Sequence, residues 1–262
     1  PERARREERA ALAELVDRLR DNGAAVIGFD MIFSEPDRMS PLEIARQWPA
    51  LFADPKMKAA ISQIPPNDRG FATSIGEMRV VLGFSGIDRG RAMPPQKAKF
   101  AIAGSDPTRF VPAYSAASAG LAELESAATG LGSLSWIPES DQIVRRVPLV
   151  IRSGEALFPA FSLEVLRVVF GQRTLLIRAA GASGMLSFGE NTGISSIRVG
   201  QIVVPTDASG RLWLNLTPSD KRRFISAAEL LAGKVPRSEI DGRIILVGVN
   251  AAGLLDLRST AI

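Results

Sequence analysis

Asp30, Glu35 and Asp37 lie close together in the chain and are the first residues whose types could do chemistry. They follow the apolar run Ala24 to Phe29, and Asp30 stands where that run stops. In open α/β sheets, ligands bind beyond the carboxyl ends of strands, so Asp30 is placed to meet one. The same position suits a structural role, in which Asp30 caps loop amides or pairs with an arginine. Hard divalent cations take carboxylate oxygens, so a metal site built from Asp30, Glu35 and Asp37 is chemically feasible.

A second group is the segment Asp141-Gln142-Ile143-Val144-Arg145-Arg146-Val147-Pro148. On a strand, the neighbours Arg145 and Arg146 leave opposite faces, so one can turn inward while the other stays in water. An inward arginine needs a carboxylate, with Asp30 or Asp256 as natural partners; otherwise it is available to an anion. The third group runs from Gly248 through Asn250 and Gly253 to Asp256. Gly248 interrupts a strand pattern, and Gly253 permits a tight turn that returns Asp256 to the sheet edge. That loop either exposes backbone amides to an anion or is a plain turn.

Absences narrow the chemistry further. The chain has no His and no Cys. This excludes Ser-His-Asp triads, histidine-rich zinc sites, thiolate nucleophiles and disulfides. No phosphate-binding loop, dinucleotide fingerprint or nucleophile elbow occurs; Gly83-Phe84-Ser85-Gly86 has the wrong spacing for the last. No cofactor and no resident metal is expected. The 32 Lys and Arg against 28 Asp and Glu leave a net charge of +4. The densest basic stretch, Arg3, Arg5, Arg6 and Arg9, is interleaved with Glu2, Glu7 and Glu8, the pattern of a solvated helix. With no groove-reading motif, nucleic acid is not an expected partner. No apolar run reaches the length of a membrane span and no signal peptide opens the chain, so any span lies outside these residues.

The elements that position these residues read as a single α/β domain over 1–262, with a mixed, largely parallel sheet, flanking helices and long irregular insertions. Leu12, Leu15, Val16 and Leu19 fall at helical spacing within 4–21, and Asn22-Gly23 ends that helix. Ala24 to Phe29 and Met78 to Phe84 read as strands, each following a helix. Arg243 to Val249 has the same doubly buried character. Short helices fit 41–48 and 56–62, and Asn67-Asp68 caps a helix over 69–77. Residues 86–112 look like a surface excursion, and 115–126 carries a weak helical pattern. Strand patterns cover 130–136, 143–151, 197–204 and 212–216, with helices from Phe158 to Phe170 and from Ser226 to Leu231.

In order, these stretches resemble the CHASE2 domain. Residues 11–37 look like its opening helix and strand, with Phe29-Asp30, then Phe33 and Ser34-Glu35-Pro36. Asp141, Arg145 and Pro148 fit its D-x-x-x-R-x-x-P strand. Thr206-Asp207, Gly210 and Leu214-Asn215 fit its hairpin, Phe224 to Gly233 its late helix, and Gly242 to Gly248 with Gly253 and Asp256 its closing strand and turn. The family usually has a further strand before the first helix and a helix after the closing turn, so both ends look trimmed. The resemblance implies a non-catalytic, extracytoplasmic (periplasmic) sensor module of a bacterial transmembrane receptor. Its partners would be a small-molecule or protein signal, its own membrane helices, a cytoplasmic output domain and, in one reading, a second copy in a homodimer. The output it implies is most often a class III adenylate or guanylate cyclase, and otherwise a histidine or Ser/Thr kinase. Ligand contacts would fall on Asp30, Glu35, Asp37, Arg145, Arg146, Asn250 and Asp256. The competing expectation is a soluble carboxylate-based or metal-assisted enzyme centred on Asp30.

Overall fold

A computed structural model describes residues 8–49, 53–182, 193–218 and 220–249. The first half contains α1 (Glu8–Asp21), β1 (Val26–Phe29), α2 (Pro41–Gln47), α3 (Pro55–Ser62), α4 (Asn67–Gly76) and β2 (Val80–Ile87). It continues with β3 (Lys99–Ala103), β4 (Ala116–Ser118), α5 (Ala122–Ala127) and β5 (Gly130–Ser133). The second half adds β6 (Arg146–Pro148), β7 (Val150–Ser153), β8 (Ala156–Pro159), α6 (Phe161–Val169) and β9 (Thr174–Ala179). After these come β10 (Ile194–Val199), β11 (Ile202–Pro205), β12 (Arg211–Trp213), α7 (Ala227–Leu231) and β13 (Ile244–Val247).

The main sheet runs β13-β1-β2, with β5 also parallel to β2 and β4 antiparallel to it. Alternation along β1 divides its side chains between two layers. Ile27 and Phe29 pack with Leu15, Val16 and Leu19 of α1 and with Phe71 and Ile75 of α4. Val26 faces the other way, onto Phe161, Val165 and Val168 of α6. A second sheet, β11-β10-β9-β3, buries Leu175, Ile177 and Ile197 together with Leu163, also from α6. One helix therefore fills the space between two sheets, which is why it is apolar around most of its circumference.

The approach of α6 to β5 depends on small residues. A Cβ on Gly130 would come within 2.6 Å of the Glu164 carboxylate, and one on Gly132 would collide with the Phe161 backbone. Glu164 is fully buried and forms a two-pronged ion pair with Arg167, at 2.6 and 2.7 Å. Arg167 also donates to the Gln172 carbonyl at 2.7 Å, so the buried charges have hydrogen-bonding partners.

The fold is the expected single α/β domain with a mixed sheet, and several elements differ from the expectations above. β13 is not doubly buried. Among the described strands it forms the sheet edge, and Ile244 and Leu246 are 41% and 63% exposed, because α6 lies across β1, β2 and β5 rather than over β13. Residues 115–126 split into β4 and α5, since β2 continues past its partner β1 and pairs Ser85 to Ile87 with Ala116 to Ser118. The excursion at 86–112 contains β3, which pairs in parallel with β9. Residues 197–204 form a hairpin turning at Gly200 (φ +56°), not one strand. Residues 143–151 divide at Leu149, because β6 pairs with β12 while β7 pairs with β8. The helix expected from Phe158 starts at Phe161, its first residues having joined β8. Pro66, not Asn67-Asp68, occupies the N-cap of α4.

Candidate functional site

Beyond the carboxyl ends of β1 and β5 lies a trough of about 1010 Å³. Asp30 opens onto it, one residue past the fully buried Phe29, and its N–H donates to the Val247 carbonyl at 2.9 Å. The walls are mainly apolar and include Leu134, Trp136, Val147, Phe224, Leu246 and Val249. Ile245 and Val247 line it as well as Leu246 and Gly248, so the trough wraps both faces of β13 at the sheet edge. Ser133, Ser135 and Ser162 contribute hydroxyls, and Arg223 contributes an exposed cation.

The other two carboxylates near Asp30 turn away from the trough. Glu35 is exposed and pairs with Arg38 at 2.8 Å. Asp37 is buried, accepting from the Asn67 side chain at 2.7 Å and the Met39 N–H at 3.0 Å. Its own N–H donates to Asp68, which also accepts from Arg9 at 2.9 Å. These contacts commit Asp37 to tying the loop after β1 to α4. The joint metal site of Asp30, Glu35 and Asp37 is therefore not assembled, and among the described residues no three carboxylates gather at ligating distance.

Arg145 and Arg146 also lie off the trough, although Val144, Val147 and Pro148 of the same segment line it. Their ion-pair partners among the described residues are Glu139, Asp141 and Asp207. Arg146 donates to Glu139 at 2.8 Å and to Asp207 at 2.9 Å, with its guanidinium 4.8 Å from the centre of the Trp213 ring. Arg145 pairs with Asp141 at 2.8 Å. Hydrogen bonds from the Arg145 side chain and the Ile143 N–H hold the Asp141 carboxyl below its usual range. Asp207 is the hub of this cluster: it also accepts from Arg211 and from the N–H groups of Ser209 and Arg211. The acid and arginine of the D-x-x-x-R-x-x-P pattern, Asp141 and Arg145, thus pair with each other, and it is Arg146, through Asp207, that braces the two-stranded ladder of β6 with β12. Of the remaining candidates, Gly248 lies against Asp30, while Asn250, Gly253 and Asp256 fall outside the described residues.

The CHASE2 domain profile matches residues 4–262. The chain belongs to the CHASE2 domain family. CHASE2 domains are extracytoplasmic sensor modules, so this is a sensor domain. Comparison with curated proteins and with solved structures returned no match. Among the described residues, no helix is long and apolar enough to cross a membrane.

Several features of this CHASE2 trough escape a sequence reading. Ser135 accepts from the Gly86 N–H at 2.7 Å and lies 3.5 Å from Ser85, while its own N–H donates to Ser133 at 3.1 Å. Tyr114, which does not itself line the trough, packs its ring against Gly86, and burial pushes the pKa of its hydroxyl up. Besides Asp30, the run Gly130 to Trp136, rich in small residues, is a signal that points to this end of the sheet. Arg223 has no such signal, since it ends a short 3₁₀ turn whose neighbours are also basic.

Proposed function

We propose that this CHASE2 domain is the periplasmic, signal-receiving part of a bacterial transmembrane receptor and that the signal is received in the trough beside Asp30. The cyclase output, for an adenylate or guanylate cyclase, is supported by the family resemblance alone, and the same resemblance allows a histidine or Ser/Thr kinase. The observation that carries the reading is the trough itself, an apolar hollow of about 1010 Å³ at the carboxyl ends of parallel strands. Pockets that bind small molecules combine apolar walls with a few placed polar groups. Here Trp136, Phe224 and Leu246 would hold an apolar body, and Asp30 and Arg223 would orient its polar end.

Such binding switches an output only if the ligand prefers one of two arrangements of the domain. Moving a receptor from mostly off to mostly on takes about 5 kcal/mol of differential affinity. The trough is bounded by α1, through Leu15 and Leu19, and by α7, through Leu230. A ligand that displaced these helices would thereby shift α1, the element nearest the first described residue, together with α7.

Among the described residues no strand lies beyond β13, and this edge favours a second reading, in which the occupant is an extended segment of a protein signal. Such a segment would add a strand beside Ile244 to Val247. Thermal unfolding of the chain against a panel of apolar carboxylates and amphiphiles tests the small-molecule reading. A ligand at a hundredfold excess over its Kd stabilises the fold by about 2.7 kcal/mol. Stabilisation that is lost in Trp136→Ala supports capture in the trough. Stabilisation by no compound, with retention of an extended peptide that Leu246→Pro abolishes, moves the assignment to strand addition.

A further inference from the structure

The second sheet has one buried and one exposed face. Leu175, Ile177, Ile197 and Val199 point to the core with no more than trace exposure. Strand register places Arg198 beside Leu176 and Val203, with Ala101 beyond Leu176. The next row sets Arg178 beside Ser196 and Ala103, and Lys99 lies opposite Thr174 at the end of the same face. All three charged side chains described on this face are cations, all are exposed, and none makes an ion pair with a described residue.

Arg178 and Arg198 are diagonal neighbours across β9 and β10 and repel, whereas opposite charges are what stabilise pairs across strands. A surface that carries only one sign is electrostatically complete when an opposite charge covers it. The three cations span about 13 Å along the strands at roughly 3.3 Å per residue, on a sheet face rather than in a cleft. Between them lie aliphatic side chains, with Val203 55% exposed. Cations on long stems interleaved with small aliphatics suit a bilayer surface, where the charges meet lipid phosphates and the aliphatics enter the interfacial layer. An acidic protein would instead be matched by alternating donors, acceptors and pockets, and this face has only Thr174 and Ser196 to offer beside the cations.

We propose that the outward face of the second sheet, through Lys99, Arg178 and Arg198, docks on the anionic lipid surface of a membrane. This reading is independent of the trough, and either can fail without the other. The test is co-sedimentation of the chain with vesicles of phosphatidylglycerol and phosphatidylcholine in equal parts, against phosphatidylcholine alone. Binding is expected only to the anionic vesicles and is expected to fall as salt is raised. Each cation removed is expected to weaken it about fivefold, so Arg178→Ser with Arg198→Ser loses about twenty-five-fold. The control, Lys56→Ser with Lys58→Ser on α3, lowers net charge equally at exposed positions off this face and leaves binding near the parent level. Equal losses in the two pairs would overturn the assignment to this face. Failure to bind anionic vesicles at low salt, or equal binding to soluble polyglutamate, would overturn the membrane as the occupant.

Discussion

Arg9 and Asp68 form an ion pair at 2.9 Å with only 7% and 3% of their side chains exposed. It joins the first turn of α1 to the first turn of α4. Arg9 also donates to the Glu35 carbonyl at 3.1 Å and lies over the Phe33 ring, while the second Asp68 oxygen accepts from the Asp37 N–H. One contact set thus fixes a helix, the loop after β1 and a second helix. Removing one partner leaves a buried charge uncompensated, which costs about 3–5 kcal/mol. Asp68→Ala is therefore expected to unfold at much lower urea than the parent, whereas the joint change Arg9→Met with Asp68→Leu recovers most of the loss. Equal unfolding midpoints for Asp68→Ala and the parent would show that the pair does not hold α1 in place.

The Asp207 cluster makes a graded prediction. Its carboxylate accepts from two backbone N–H groups and from two arginines, Arg146 and Arg211. Asp207→Ala removes all four bonds and is expected to cost about 2–3 kcal/mol. Arg146→Ala leaves Arg211 and the turn amides in place and is expected to cost about 1 kcal/mol. Because none of these residues lines the trough, ligand binding there should persist in both variants under folding conditions. Urea titration with a binding measurement below the transition checks both halves.

The sequence reading located Asp30 correctly at a strand end because a short apolar run closed by an acid has few other meanings in an α/β chain. The same logic misplaced β13. Ile244-Ile245-Leu246-Val247 has the composition of a central strand, but its exposure is set by where α6 lies, a contact made by residues far away in the chain. The pattern shows that an inward one of Arg145 and Arg146 needs a carboxylate, but the partners of Arg146, Glu139 and Asp207, are set by the β6–β12 ladder, while Arg145 pairs locally with Asp141. Asp68 reads locally as an ordinary acid in a helix's first turn, and only the packing of α1 against α4 buries it. Local periodicity therefore revealed elements and strand ends, while tertiary packing decided partners and edges.

Glu125 supplies a pH prediction. It is 7% exposed, and burial pushes its pKa up, partly offset by the Gly120 N–H and by Arg91 and Lys97. An acid whose pKa is raised on folding disfavours the fold when ionised. That penalty is fully present above the folded-state pKa and disappears as pH falls through it toward the ordinary carboxylate range. Glu125→Gln removes the charge and keeps an acceptor for Gly120. The variant is expected to be more stable than the parent at neutral pH and to converge with it in acid. Unfolding curves across that window read the difference, and a gap that widened on acidification would reverse the assignment.

Leu246 separates the trough's role from the stability of the fold. At 63% exposure it contributes little to the core, so Leu246→Asp is expected to change stability by no more than about 0.5 kcal/mol. Its side chain nevertheless forms part of the trough wall, close to the Gly28 backbone and on the same face of the sheet as Phe161. A carboxylate there would have to lose water for an apolar occupant to enter, and an unpaired charge pays heavily for that. An apolar fluorophore that brightens in the parent trough should lose at least tenfold in affinity with this variant while the melting temperature stays put. Unchanged fluorophore binding beside an unchanged melting temperature would mean that the occupant never touches the β13 edge.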